Sequence, residues 1–195
     1  ESVINQNTSG NPMRQKSPLV IIFITVFIDL LGFGMILPVL PFYAERYGAS
    51  AFHIGLLSSS FSFMQFIFAP IWGRISDRLG RRPIIIMSLM GSALSLFVFG
   101  MAESLSLLLV SRLCAGTFAA NIPTAQAYIA DVTTPENRAK GMGLIGAAFG
   151  LGFIFGPSIG GLLSLYGDSV PPFFAAGLAL VNGVSAYFLL PESRP

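Results

Sequence analysis

The chain of 195 residues carries few charges, with 11 Lys and Arg and 9 Asp and Glu, whereas 53% of its residues are hydrophobic. Soluble domains contain about 25% charged residues, but this chain contains only 10%, so a water-exposed globular surface is excluded. The single cysteine, Cys114, and the single histidine, His53, argue against a disulfide framework and against a metal site. We expect no metal and no cofactor, and a net charge of +2 indicates no nucleic-acid partner.

Six apolar stretches follow one another along the chain, each at least 18 residues long. This length is enough to cross a bilayer core of about 30 Å as a helix, and a helix satisfies its own backbone hydrogen bonds in lipid. The sequence therefore predicts an all-α transmembrane bundle over residues 18–195, preceded by a tail at 1–17. The predicted spans are residues 19–43, 54–73, 84–102, 105–130, 142–166 and 173–190.

Lys and Arg are concentrated on one side of the predicted bundle. They occur in the N-terminal tail, in the second and fourth loops and at the C-terminus, whereas the opposite loops contain only Arg46. Cytoplasmic loops carry the excess of positive charge in membrane proteins. The distribution therefore places both termini, including the tail, in the cytoplasm.

Two charged residues, Asp29 and Arg112, lie inside the predicted spans. A charge in the middle of a membrane helix costs about 2.5–3.5 kcal/mol, so such residues usually face a protein interior or a water-filled cavity. One interpretation is an ion pair, or hydrogen bonds from these residues to neighbouring helices, that holds the bundle together. The other, which we favour, is a titratable carboxylate and a fixed cation that face a transport pathway. Further candidates to line this cavity, or to join helices by hydrogen bonds, are Gln65, Asn121 and Gln126.

Spans one and four share an order of residues in which a charge is followed by a glycine and then by a proline. Glycine- and proline-interrupted spans in corresponding positions indicate repeats around a transport site, so we expect two inverted repeats of three spans. Glycine and proline are frequent in membrane helices in general, so the similarity between the two spans could also arise by chance. The matching residues are Asp29, Gly32 and Pro38 in span one and Arg112, Gly116 and Pro123 in span four.

Span five is rich in glycine. Small residues spaced by four share one face of a helix and allow a second helix to approach closely, and a proline removes one backbone hydrogen bond, so a bend is expected. Static helix packing and a hinge that changes partners both fit this pattern. The residues concerned are Gly152, Gly156, Pro157, Gly160 and Gly161.

The loop between spans two and three is rich in arginine and contains one acid. Its glycines would permit a tight turn or a close backbone contact, and its acid would pair with an arginine or a helix N-terminus. Asp131, at the end of span four, is a second acid at the same depth. We therefore expect a salt-bridge cluster that latches the span ends together. The loop residues in this expectation are Gly73, Asp77, Arg78, Gly80, Arg81 and Arg82.

The loop run GRISDRLGRRP resembles the signature G-x-x-x-D-R-x-G-R-R/K of the major facilitator superfamily. Three further segments resemble motifs of that family in the family's order: DLLGFGMILPVLP in span one, Leu108–Gly116 in span four and the glycine-rich run of span five, which is associated with antiporters. The resemblance covers residues 18–195 and is greatest for drug–proton antiporters of the tetracycline exporter type. Those exporters carry an acid in span three, where this chain has Ser95, which weakens tetracycline itself as the substrate.

The resemblance implies one half of a twelve-span fold that works by alternating access. The expected function is proton-coupled export of a small amphipathic compound, such as a drug, across a bacterial inner membrane. Asp29 and Arg112 would couple protons to substrate, Asp77, Arg81 and Asp131 would form an inner gate, and residues 152–161 would be the antiporter hinge.

The expected partners are substrate, protons, the lipid bilayer and a C-terminal six-helix half that this chain lacks. The alternative is a truncated half that serves as a structural or partner-binding module in the membrane. An enzyme is not expected, because nucleophilic chemistry needs a base beside its nucleophile, and the one histidine falls at the edge of a span.

Overall fold

The computed structural model describes residues 18–193, and every regular element in that range is an α-helix. Six units are long and apolar enough to cross a membrane, with α4 and α5 together forming the fourth. The prediction of an all-α bundle with six spans is therefore confirmed, while the predicted tail lies outside the described residues. The helices are α1 Pro18–Glu45, α2 Ala51–Leu79, α3 Arg81–Gly100, α4 Leu105–Thr117, α5 Asn121–Val132, α6 Pro135–Ser164 and α7 Val170–Leu189.

The helices overlap the predicted spans but differ from them at several ends. Helix α2 continues to Leu79 and α6 begins at Pro135, because a helix continues through polar residues that the apolar pattern leaves out. Proline at the start of α6 is favourable, since its missing N–H is one that the first turn does not use. The fourth span is interrupted between Thr117 and Asn121, which the apolar pattern does not show.

The pairs of helices that pack most closely follow a two-fold pattern. Helix α1 packs on α6 and α7, the fourth span packs on α2 and α3, and α3 packs on α7. If span one is exchanged with span four, span two with span five and span three with span six, the set of packed pairs stays the same. The pair of α3 and α7 is then its own counterpart. This is the packing expected of two inverted repeats of three spans.

Helix α1 contacts α6 along a line of glycines that we call the glycine seam, formed by Gly34, Gly152, Gly156 and Gly160. A Cβ atom added at Gly156 would lie 2.8 Å from the Gly34 Cα atom, and one added at Gly160 would lie 2.7 Å from the Met35 carbonyl oxygen. Backbone therefore contacts backbone along the seam, as small residues spaced by four allow.

Polar contacts that are buried or partly buried fix α3 and α7 against α1. The Asn182 amide on α7 donates a hydrogen bond of 2.8 Å to the Thr25 carbonyl on α1. At the opposite end of α1, the Tyr43 hydroxyl lies 3.2 Å from the Gly100 carbonyl oxygen, to which it donates, and 3.0 Å from the Ser169 hydroxyl. These bonds join spans one, three and six.

Candidate transport site

A cavity of about 280 Å³ lies between spans one to five, at the level of the two intramembrane charges. Aromatic rings from α1, α2 and α6 form much of its wall: Phe33, Phe61, Phe149 and Phe153. An aromatic, mostly apolar cavity with a few polar groups is the usual form of a site for a small organic ligand. Its polar side chains are Asp29, Gln65, Ser92, Arg112 and Asn121.

Four of the five polar residues expected to line a cavity do so. Gln126 does not, because it lies on an exposed face of α5, one and a half turns beyond Asn121. Ser92 on α3 was not anticipated. Ser88, Ser92 and Ser95 share one face of that helix, but this spacing alone does not separate a cavity wall from a helix contact.

Asp29 and Arg112 both line the cavity but form no ion pair within residues 18–193. Arg112 is only 4% exposed, and its Nε and Nη2 atoms have no hydrogen-bond partner among those residues. Its guanidinium carbon lies 4.9 Å from the centre of the Phe99 ring, a cation–π contact. The interpretation as an ion pair that holds the helices together therefore does not describe this conformation.

The fourth span breaks beside this cavity, at residues 118–120. The Ser88 hydroxyl on α3 donates to the Phe118 carbonyl and accepts from the Ala120 amide at 3.3 Å. The Trp72 indole on α2 donates to the Thr117 carbonyl at 2.6 Å, and its ring stacks on Phe118. Side chains from two neighbouring helices thus bond to three backbone groups that the break leaves without helical partners, the Thr117 and Phe118 carbonyls and the Ala120 amide.

Helix α5 starts at this break, and Asn121 and Ile122 line the cavity. Their backbone amides have no acceptor within residues 18–193. The Asn121 side chain approaches the Asp29 carboxylate without completing a hydrogen bond. The cavity thus contains a carboxylate beside the start of a helix, and a guanidinium that forms an ion pair with neither within residues 18–193.

Ser88→Ala is expected to lower the free energy of unfolding by about 1–2 kcal/mol, because it removes one of the two hydrogen bonds that the Phe118 carbonyl and the Ala120 amide each make at the break. Ser95→Ala on the same helix is the matched control, since Ser95 is equally buried but bonds only to the Gly91 carbonyl one turn away. It should cost less than about 1 kcal/mol. Thermal unfolding in detergent measures both, and equal losses would contradict the role given to Ser88.

A second group of charges lies at the end of the bundle that carries the arginine-rich loop, and we call it the basic-end cluster: Asp77, Arg81, Asp131 and Glu192. The Arg81 side chain is 7% exposed and bonds to Asp77 Oδ1 at 2.7 Å and to Asp131 Oδ2 at 3.0 Å. Its Nη1 atom donates to the Ser76 hydroxyl at 3.1 Å. One guanidinium therefore connects α2, α3 and α5.

Glu192, which follows α7, is the fourth member of the basic-end cluster. Its carboxylate accepts from the Arg81 amide at 2.9 Å and from the Arg82 amide at 3.3 Å, and so caps the N-terminus of α3. The turn before α3 is made by Gly80, which has a φ of +101° and no room for a Cβ atom beside Glu192. The segment that follows α7 is thereby fixed to the arginine-rich turn at Glu192.

The other loop residues take different positions from those expected. Gly73 lies inside α2, where an added Cβ would meet no described atom within 4 Å, so the expectation of a turn or close contact there is wrong. Arg78 is exposed. Arg82 donates to the Tyr187 carbonyl and lies over the Tyr187 ring at 5.4 Å.

A family model described as Major Facilitator Superfamily matches residues 22–195. The chain belongs to this superfamily. Multidrug resistance protein 2 of Bacillus subtilis is 39% identical over 92% of this chain and 45% of that protein. The class C tetracycline resistance protein of Escherichia coli is 38% identical over 93% of this chain and 47% of that protein.

Solved structures of this superfamily share the fold. The human organic anion transporter MFSD10 (TETRAN) superposes with a TM-score of 0.82 at 33% identity, over 91% of this chain and 48% of that one. The chain spans about half the length of the curated relatives it matches. The superfamily consists of transporters and not enzymes, and the chain is an integral, multi-pass membrane segment.

Within this superfamily fold, the described residues bring together two sets of polar groups that the sequence analysis singled out. Asp29 and Arg112 share the cavity, and Asp77, Arg81 and Asp131 share the basic-end cluster. Glu192 and Ser88 were missed. For Glu192, the available signal was an acid just after the last span, at the same end of the bundle as the four loop arginines. For Ser88, it was the spacing of Ser88, Ser92 and Ser95 along one helix face.

Proposed function

We propose that this chain is the N-terminal half of a proton-coupled exporter of small amphipathic compounds. The observation that carries the proposal is Asp29, a partly buried acid with no ion pair among the described residues, in an aromatic cavity midway along the first span. Ionisable residues at such positions mark substrate and proton pathways. The names of the two bacterial relatives, multidrug and tetracycline resistance proteins, support export of drug-like compounds.

Proton exchange would follow from competition at one carboxylate. Ionised Asp29 attracts a cationic group of the substrate, whereas protonated Asp29 is neutral and releases it. If each side of the membrane reaches the cavity in turn, the proton gradient drives the substrate out. This account places the termini in the cytoplasm of a bacterial cell, with the arginine-rich end facing inward.

The rest of the bundle supplies two elements for such alternation. The basic-end cluster joins α2, α3 and α5 and is suited to holding one end of the bundle closed. The glycine seam lets α1 and α6 contact each other along their backbones, which is suited to sliding or bending with few interlocking side chains. Substrate would bind between this half and a second six-helix half.

The names of the relatives leave the charge of the substrate open. The bacterial relatives are named for resistance to drugs, and the human structural relative is described as an organic anion transporter. The chemistry of the cavity itself is therefore the better guide to the substrate.

Asp29→Asn in the transporter that contains this chain is expected to abolish efflux driven by a pH gradient, because the neutral amide cannot exchange a proton. The assay uses inside-out membrane vesicles and the best-transported member of a panel of fluorescent amphipathic drugs. Asp29→Glu is the matched control, since it keeps the carboxylate and should retain partial transport. Full pH-driven efflux by the asparagine variant would remove Asp29 from the mechanism.

A further inference from the structure

The guanidinium of Arg112 is a buried cation that forms no ion pair within the described residues. It is 4% exposed, two of its nitrogen atoms have no hydrogen-bond partner within residues 18–193, and it lines the cavity. Arginine in a protein interior is almost always paired, because an unpaired buried charge is strongly destabilising. The contact with the Phe99 ring covers one face of the guanidinium and leaves its edge donors free.

The start of α5 adds further donors to the same cavity. The backbone amides of Asn121 and Ile122 have no acceptor in the described part of the chain, and the Asn121 side chain is 2% exposed without completing a hydrogen bond. A helix N-terminus carries a partial positive charge and free amides, which together favour a bound anion. Half-helices that point their N-termini at an anionic substrate group are a recurring device in transporters.

We propose that Arg112 and the start of α5 form an oxyanion subsite, so that the transported compound carries a carboxylate or a similar acidic group. This inference rests on the proposed function and specifies its substrate class. A planar guanidinium binds a carboxylate through two parallel hydrogen bonds, and the aromatic wall accommodates the apolar body of the ligand.

The position of Asp29 adds a second requirement on the ligand. Asp29 lines the same cavity and does not pair with Arg112, so the ligand that satisfies both is amphoteric, with an acidic group at the oxyanion subsite and a basic group at Asp29. The basic group competes there with the proton, as exchange requires. The acidic and basic groups of the ligand lie close together, because Asn121 approaches Asp29, and the apolar body lies beside them against Phe33, Phe61 and Phe153.

Three matched naphthalene probes test the oxyanion subsite by equilibrium binding to the purified transporter that contains this chain: 1-naphthoate, 1-naphthylmethanol and 1-naphthylmethylamine. The parent is expected to bind 1-naphthoate more tightly than the neutral alcohol. Arg112→Gln should weaken 1-naphthoate by about ten- to hundredfold, the range for a hydrogen bond to a charged group, and leave the alcohol unchanged within about twofold. Arg112→Lys should recover part of the loss.

A second variant tests the subsite independently of whether Arg112→Gln folds. In the Asp29→Asn background, which removes the carboxylate that Asn121 approaches, Asn121→Asp changes the side chain little in size and places an acid where a helix start favours one, so it should fold and yet repel 1-naphthoate. Gln65→Glu makes the matched amide-to-acid change elsewhere on the cavity wall and should weaken 1-naphthoate less. The subsite is wrong if Arg112→Gln loses affinity equally for all three probes. It is also wrong if the parent binds 1-naphthoate no more tightly than the alcohol.

The two proposals fail in different ways. If Arg112→Gln keeps the preference for 1-naphthoate while Asp29→Asn still abolishes pH-driven efflux, the subsite is wrong and the export proposal stands. If the preference for 1-naphthoate depends on Arg112 but the transport rate does not depend on the pH gradient, the subsite stands and proton-coupled export is wrong.

Discussion

Substituting alanine for Gly156 is expected to lower the free energy of unfolding by about 1–3 kcal/mol, and leucine is expected to prevent the native packing of α1 on α6. An added Cβ would lie 2.8 Å from the Gly34 Cα and 2.9 Å from the Leu31 carbonyl oxygen. Both contacts are with backbone, so no side chain can rotate away and the two helices must separate. Thermal unfolding in detergent measures the loss.

Gly161→Ala is the matched control for this change. Gly161 lies on the same helix, but a Cβ added there would meet no atom of residues 18–193 within 4 Å. Because alanine also has a higher helix propensity than glycine, the free energy of unfolding should stay the same or rise. A loss as large as that of Gly156→Ala would show that general glycine content, and not the glycine seam, determines stability.

Arg81→Gln should destabilise the protein by about 1–3 kcal/mol, because it removes the charge-assisted hydrogen bond from Arg81 to Asp131. The side chain of Arg81 is 7% exposed and that of Asp131 is 20% exposed, so solvent screens this pair only in part, while Asp131 keeps the hydrogen bond from the Ser193 hydroxyl after the change. The pair with Asp77 contributes little to this figure, because the side chain of Asp77 is 56% exposed and solvent screens it.

Arg78→Gln, one turn earlier in the chain, removes an equal charge from an exposed position and should change stability by less than about 0.5 kcal/mol. The comparison separates the basic-end cluster from the overall positive charge of the loop. If both variants lose the same stability, net charge explains the effect. Chemical unfolding monitored by tryptophan fluorescence is suitable, since Trp72 lies on α2 beside the break.

The parts of the fold that depend on chemistry repeated along the chain could be predicted from the sequence. Long apolar stretches predicted six spans because lipid requires continuous helices. Glycines spaced by four predicted a close helix contact, and Gly152, Gly156 and Gly160 all form it. The acids of the arginine-rich region predicted a cluster, because opposite charges at the same depth on neighbouring helix ends come together, as Asp77 and Asp131 do around Arg81.

The parts that depend on contacts between distant residues could not be predicted. Ser88 holds a break 30 residues away, and Glu192 caps a helix that begins 111 residues earlier. The sequence shows that Ser88 lies on a polar face of span three and that Glu192 follows the last span, but not which backbone group either residue meets. The lack of an ion pair between Asp29 and Arg112 also depends on how the spans rotate against each other, which equal depth in the membrane does not determine.

Proton movement driven by substrate alone is the most direct test of the proposed function. Proteoliposomes that contain the whole transporter and an internal pH dye receive a gradient of the best-transported drug, with no pH or voltage gradient imposed. We expect protons to move opposite to the drug, and this movement to be lost in Asp29→Asn and retained in part in Asp29→Glu. Drug movement without proton movement in the parent would contradict proton-coupled exchange.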